Sequence, residues 1–293
     1  MNVTLMYTVI TLSVTGGIAA IILFFVAKKF KVSEDPRIDE VQNLLPGANC
    51  GGCGYPGCRN FAEAIIKKGS LEALNCPVGG NDVMQTIAKA LGWEAAEVIP
   101  MVAVIRCSGS PEHRPRTNEY DGPKNCRMAH NLYMGETGCP NGCLGFGDCV
   151  VACQFDAIHM NPVTQLPEVI DDKCTACGAC VRACPCMIIE LRKKNKKDRK
   201  IFVSCVNTEK GAVAKKNCAV ACIGCEKCFK VCPHDAITMA NNLAYIDHIK
   251  CKLCRKCVVV CPTNAILEIN FPLRKTETSE NTSQTETKEE TAQ

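Results

Sequence analysis

The longest unbroken apolar stretch of the chain, LMYTVITLSVTGGIAAIILFFVA at residues 5–27, carries no charge. About 20 such residues cross a bilayer as a helix, so the pattern predicts a membrane-spanning helix over 1–28. A cleaved signal peptide is the poorer reading, because no basic segment precedes the run and no small-x-small site follows it. Lys28, Lys29 and Lys31 come directly after it, and positive flanks favour the cytoplasmic side. The expected anchor is therefore uncleaved and single-pass in the inner membrane, with its N-terminus outside and the body of the chain in the cytoplasm.

Beyond the anchor the apolar pattern breaks into short pieces. RNFAEAIIKK (59–68) reads as a short helix. FDAIHM (155–160), MIIEL (187–191), HDAITM (234–239) and NAILEI (264–269) read as short strands. From Thr276 onward only Ala292 is apolar, so 276–293 reads as a disordered tail. The basic run RKKNKKDRK (192–200) has two readings: a solvated loop between modules, which is favoured, or a surface that steers an acidic ferredoxin.

Cysteine changes this picture most. There are 25 in 293 residues, an odd number, crowded into C-x-x-C runs. Residues three apart rarely meet disulfide geometry, and a chain of this length outside the secreted class is not a disulfide scaffold. Ligation of metal is the better reading, and reduced cytoplasmic thiols suit it. Aromatic content is only 5%, thin for large cores, and inorganic cofactors would supply the missing stabilisation. The net charge of +4 is too modest to imply nucleic acid.

Three runs match C-x₂-C-x₂-C-x₃-C-P, the bacterial ferredoxin ligand pattern: Cys174, Cys177, Cys180 and Cys184; Cys222, Cys225, Cys228 and Cys232; Cys251, Cys254, Cys257 and Cys261. A fourth run, CPNGCLGFGDCVVAC (139–153), is irregular, with Phe146 at a ligand position and Gln154 in place of the proline. A shift of 79 residues maps Cys126, Cys139, Cys143, Cys149 and Cys153 onto Cys205, Cys218, Cys222, Cys228 and Cys232, so Phe146 stands where Cys225 stands. A shift of 77 maps LPEVIDDKC onto LAYIDHIKC. The chain thus carries two copies of one double-cluster module.

With the fourth cysteine of each run crossing to the neighbouring site, four ligand sets are expected. Cys139, Cys143 and Cys149 join Cys184, with Cys139 standing in for the missing thiol; Cys174, Cys177 and Cys180 join Cys153. Cys222, Cys225 and Cys228 join Cys261; Cys251, Cys254 and Cys257 join Cys232.

NCGGCGYPGC (49–58) followed by Cys76 in NCPVGG has a different spacing. Its glycines let backbone N–H groups approach a cluster and hydrogen-bond its sulfurs, which raises the reduction potential. Cys50, Cys53, Cys58 and Cys76 are the expected ligands of a fifth [4Fe–4S] cluster. A zinc knuckle is the competing reading, but no second C-x₂-C pair supports it.

The order of anchor, ANCGGCGYPGC…NCPVGG, RCSGS, GCLGFGDCVVAC and paired ferredoxin modules over roughly residues 1–270 resembles the RnfB family, the B subunits of the Rnf (Rsx) ion-translocating electron transport complexes, in a long form with two modules. The CGGCGYPGC motif alone is also similar to one in the corrinoid iron–sulfur protein of acetyl-CoA metabolism. The resemblance to the Rnf family implies a membrane complex passing electrons between reduced ferredoxin and NAD, coupled to movement of Na⁺ or H⁺, in which this chain acts as an oxidoreductase subunit and relay.

No G-x-G-x-x-G or G-x-x-x-x-G-K-[ST] motif opens a helix, so nucleotide chemistry is assigned to partner subunits and no catalytic residue is expected here. An input subunit of another membrane hydrogenase or reductase, and a zinc scaffold, are the alternatives. Of the remaining cysteines, Cys126 and Cys205 read as buried thiols packed as small apolar residues, with a further metal as the rival. Cys186 reads as packed, and Cys218 as a counterpart of Cys139 that could exchange roles with Cys225. Cys107 has no assigned role. His234 reads as a solvated loop histidine or a tuner of potential. The expected architecture is α+β: an anchor at 1–28, a 4Fe–4S domain at 35–105, and ferredoxin modules at 125–192 and 200–270.

Overall fold

The computed structural model of the chain describes residues 3–29, 35–133 and 135–272. Lys31 and the 276–293 tail fall outside those residues. Helix α1 (Val3–Lys29) carries a span from Met6 to Lys29, with mean hydropathy 2.5 and no face packed on the rest of the protein. At 1.5 Å per residue the span is about 36 Å long, enough to cross a hydrocarbon core of about 30 Å.

A helical domain follows. Asp35 caps α2 (Pro36–Leu44), its carboxylate accepting from the Arg37 N–H, with Pro36 in the first turn where no donor is needed. Helices α3 (Cys58–Lys68) and α4 (Gly80–Leu91) end at Gly69 and Gly92, both left-handed. Their apolar faces meet α2 in a core of Val41, Phe61, Ile65, Met84 and Ile87, with Cys76 at its edge. This is an ordinary hydrophobic core, and it stands apart from what comes next.

The next two units are built alike. In the first, β1 (Met101–Ile105), α5 (Cys126–Tyr133), α6 (Asp148–Val151), β2 (Ile158–Met160), β3 (Pro167–Val169), α7 (Ala179–Ala183) and β4 (Ile189–Lys193) follow in order. The second contains β5 (Lys200–Val203), α8 (Gly211–Asn217), α9 (Lys227–Val231), β6 (Ile237–Ala240), β7 (Leu243–Ile246), α10 (Lys256–Val259) and β8 (Ile266–Ile269). Each unit holds two antiparallel pairs: β1 with β4 and β2 with β3, then β5 with β8 and β6 with β7. The fold is α+β with two ferredoxin-type modules behind an apolar helix. The four apolar stretches read as strands each overlap one, β2, β4, β6 and β8, in register with Ile158 opposite Val169, Ile189 opposite Ile105, Ile237 opposite Ile246 and Ile266 opposite Val203.

Strand β1 pairs with β4 across five residues, Met101 opposite Lys193 through Ile105 opposite Ile189. The segment 101–105 therefore packs with the first module, and we propose a domain boundary near residue 100 in place of 105. The reason is physical: a lone apolar strand needs an edge to pair with, and β4 supplies it.

A buried charge cluster joins the modules. Glu190 on β4 pairs with Arg106 at 3.3 Å and with Arg192, which is 2% exposed. Arg192 donates to the Ile201 carbonyl and stacks on Phe202 and Tyr245; Arg106 donates to the Val203 and Cys205 carbonyls and lies over Tyr245. The basic run 192–200 is thus anchored at both ends, since Lys200 is buried and pairs with Asp171 at 2.6 Å.

Candidate iron–sulfur sites

The ligand loops share one backbone conformation. In each, the third and fifth residues from the first cysteine have positive φ: Gly145 and Gly147, Ala176 and Gly178, Gly224 and Glu226, Leu253 and Arg255. Four of these eight are not glycine, although the left-handed region disfavours side chains. The repeated kink curls each loop about a centre and points its cysteines inward, and the fifth residue then starts a short helix (α6, α7, α9 and α10). The irregular loop keeps this shape although Phe146 replaces a cysteine.

Five cavities of nearly equal volume, about 310–350 Å³, are each lined by four or more cysteines. One holds Cys50, Cys53, Cys58 and Cys76 in the helical domain. There Asn49, at φ 46°, accepts the Cys58 N–H at 2.8 Å and so ties the glycine loop to the start of α3, while the Gly79 N–H donates to Cys76 Sγ. Two lie in the second module, one lined by Cys222, Cys225, Cys228 and Cys261, the other by Cys232, Cys251, Cys254, Cys257 and the exposed His234. In the first module, burial and its neighbours Cys174, Cys177 and Cys153 push Cys180 up to about 11. Ala157 and Ala103 donate backbone N–H groups to Cys153 and Cys174 Sγ at 3.3 and 3.5 Å.

The irregular site is assembled differently from the expectation. Cys143, Cys149 and Cys184 share a cavity with Cys126 and Cys186. Cys139 is not among them; it faces a separate cavity with Cys107, Cys205 and Cys218. Cys126 begins α5, in a segment that the second module lacks, and Asp148 accepts its backbone N–H at 2.9 Å. Phe146 packs on Tyr120 with ring centroids 5.9 Å apart, under Lys124.

Several of the thiols are desolvated. Burial pushes Cys149 and Cys257 up to about 12 and Cys205 and Cys228 to about 11, so each would stay neutral unless a cation compensates the thiolate. Among the described residues no group of three or more His, Cys, Asp or Glu side chains converges tightly enough for a single metal ion. A lone zinc draws four sulfurs to about 2.3 Å from one point. Thiols spread around a cavity of this size suit the wider cubane.

The helical domain touches the first module at its cluster loop. A Cβ on Gly52 would lie 3.0 Å from both Cys177 Cα and its carbonyl oxygen, so any side chain there would push the loops apart by a few tenths of an ångström, and the Cys50–Cys58 loop abuts the Cys174–Cys180 loop.

Ferredoxin folds strung with thiol-lined cavities define a multicentre iron–sulfur electron-transfer protein. Comparison with known proteins agrees. A family model for an Fe-S cluster matches residues 45–78, and models for a 4Fe-4S dicluster domain match 137–185 and 221–265. The chain is 44% identical to the B subunit of the Na(+)-translocating ferredoxin:NAD(+) oxidoreductase complex of Acetobacterium woodii, over 82% of this chain and 71% of that protein. It is 41% identical to the B subunit of the ion-translocating oxidoreductase complex of Methanosarcina acetivorans, over 86% and 93%. With the B subunit of the proton-translocating ferredoxin:NAD(+) oxidoreductase complex of Clostridium ljungdahlii it shares 37% identity over 86% and 87%. The chain belongs to the RnfB family, the B subunits of ion-translocating oxidoreductase (Rnf) complexes, and it transfers electrons as one component of such a complex.

Proposed function

We propose that this chain relays single electrons between reduced ferredoxin and the NAD-linked partner subunits of an Rnf-type complex, through [4Fe–4S] clusters held in its thiol-lined cavities. The observation that carries this reading is the near-identity of four of those cavities: spaces of about 310–350 Å³, each ringed by the cysteines of one ligand set, along one chain. Bound clusters supply reversible one-electron redox chemistry in the range of roughly −700 to +450 mV. The chain's own residues hold, space and insulate them. Cysteines anchor each cluster, backbone N–H groups of Gly79, Ala103 and Ala157 donate to sulfur and raise its potential, and apolar side chains exclude water.

The ligand sets that fit are Cys50, Cys53, Cys58 and Cys76; Cys153, Cys174, Cys177 and Cys180; Cys222, Cys225, Cys228 and Cys261; Cys232, Cys251, Cys254 and Cys257; and Cys143, Cys149 and Cys184 with Cys126 in place of Cys139. Cys126 fills the position that Phe146 leaves without a thiol. Replacing Cys126 with Ser should remove up to about four irons per chain or leave a three-iron centre, and adding Phe146→Cys should restore the count. Iron analysis with EPR checks this; an unchanged count in the single variant would put Cys126 outside the ligand set.

Ferredoxin docks at the second module. Cys225 and Cys254 are exposed there, and the exposed Lys227, Lys230, Lys250, Lys252 and Lys256 surround them, a basic rim suited to steering an acidic carrier. Helix α1 anchors the chain, and the lysines at its end favour the cytoplasmic side for the modules. The experiment is anaerobic purification of the full chain, iron and acid-labile sulfide analysis, and stopped-flow mixing with reduced ferredoxin at several ionic strengths. Bleaching of the iron–sulfur absorbance that slows with salt is expected. A colourless zinc-loaded chain, or a brown one that reduced ferredoxin leaves untouched, would sink the proposal.

A further inference from the structure

Cys107, Cys139, Cys205 and Cys218 belong to none of the five sets above, yet the fold brings them to one cavity of about 320 Å³, the volume of the others. We propose that these four thiols hold a sixth [4Fe–4S] cluster, placed between the two ferredoxin modules, through which electrons pass from one module to the other. The inference extends the relay proposed above and rests on it.

The construction of the site is symmetric. Cys107 follows β1 and Cys205 follows β5; the residue before each, Arg106 and Ser204, donates its N–H across the sheet to Ile188 and Ala265. The two cysteines are therefore equivalents in the repeat, which a constant shift of 79 obscures, because the segment between Cys107 and Cys139 is longer than that between Cys205 and Cys218. Cys139 and Cys218 are equivalents too, each four residues before the first cysteine of a ligand loop. Each module gives one cysteine from a strand end and one from a loop start. Neither module has a complete set, so the site exists only where the two meet.

The electrostatics of the cavity call for an anion. Arg114 lines it and is only 9% exposed. Its Nη2 donates to the Cys143 carbonyl, its Nε has no hydrogen-bond partner, and among the described residues no carboxylate pairs with it. Gly142 supplies the room it occupies, since a Cβ there would overlap Nη1. A buried guanidinium facing neutral thiols would be an uncompensated charge costing several kcal/mol. Four thiolates around an oxidised cubane carry a net charge of −2, which answers it. Asn207, 1% exposed, also donates through Nδ2 towards Cys139 Sγ at 3.6 Å.

Position explains use. Cys139 and Cys143 face adjacent cavities, as do Cys218 and Cys222. The sixth site thus adjoins the Cys143 site on one side and the Cys222 site on the other. With the Gly52 contact linking the helical domain to the Cys177 loop, the centres form one unbroken line. Each transfer moves one electron, oxidising one centre as its neighbour is reduced; reduced ferredoxin supplies the electron and partner subunits accept it. Without the central site the modules would face each other across a gap, and tunnelling falls steeply with distance.

Native mass spectrometry of the full chain, reconstituted anaerobically with excess iron and sulfide, counts the clusters directly. Saturation at six cubanes is expected, and the double variant Cys107→Ser/Cys218→Ser should saturate at five, losing about four irons. Saturation of the unaltered chain at five, or five cubanes plus one zinc, overturns the inference while leaving the relay intact. A chain that takes up no iron overturns both. Because the double variant could misfold, Arg114→Leu provides a second readout that keeps every thiol: loss of the positive charge should shift one redox transition to more negative potential, and an unshifted titration would count against an anion at this site.

Discussion

Stripping iron from the full chain with a chelator should unfold both ferredoxin modules and spare the helical domain. The cores differ in kind. The second module's buried core mixes Cys205, Cys218, Cys222, Cys228 and Cys257 with nine alanine, valine and isoleucine residues, so cysteine makes up about a third of it, and its sheets are pairs of four-residue strands. Isolated two-stranded pairs are marginal in water, and cavities of about 340 and 310 Å³ lined by cysteines add no packing of their own. Structural zinc in small domains contributes about 10–16 kcal/mol to folding, and the clusters here should matter on that scale. The helical domain instead rests on Val41, Phe61, Ile65 and Ile87. Hydrogen exchange on the apo chain should therefore show β5–β8 losing protection while α3 and α4 keep theirs. A cooperative transition unchanged by chelation would contradict this account of what holds the modules together.

Glu190→Gln should destabilise the iron-loaded protein by about 3–5 kcal/mol, because it leaves two buried guanidiniums without their carboxylate. Arg106 and Arg192 both pair with Glu190 and both reach into the second module, to carbonyls of Val203, Cys205 and Ile201. The loss should appear in denaturant unfolding and as faster amide exchange along β4 and β5. Glu168→Gln is the control: its pair with His159 is about half exposed on both sides, and surface pairs contribute only about 0–1 kcal/mol. Equal effects from the two substitutions would mean that the module interface does not depend on this cluster.

Much of the chemistry was legible because it is local. Three cysteines at i, i+3 and i+6 lie on one loop whatever the rest of the chain does, so Cys174, Cys177 and Cys180, or Cys251, Cys254 and Cys257, are drawn together by backbone conformation alone. The uncharged run at 5–27 is equally self-contained, since its helix packs on no other part of the described chain. The apolar stretches overlapping β2, β4, β6 and β8 could be read because each directly follows a ligand run. Their partners were less visible: β1 shows its membership of the first module only by pairing with β4.

Where ligands come from distant segments, sequence spacing misleads. A constant shift of 79 placed Cys126 opposite Cys205 and put Cys139 beside Cys143. The fold instead matches Cys205 with Cys107, because equivalence is set by the ends of β1 and β5. An apolar strand ending in cysteine, VAVIRC and IFVSC, was the available signal. The sequence by itself determined the ligand loops, the long apolar helix and the repeat, since each depends on neighbours a few residues apart. Only the tertiary structure decided that Cys126 shares a cavity with Cys143, Cys149 and Cys184, that Gly52 meets Cys177, and that Cys107, Cys139, Cys205 and Cys218 share one cavity. Those contacts arise from how two modules and a helical domain pack on one another, and no local spacing encodes that packing.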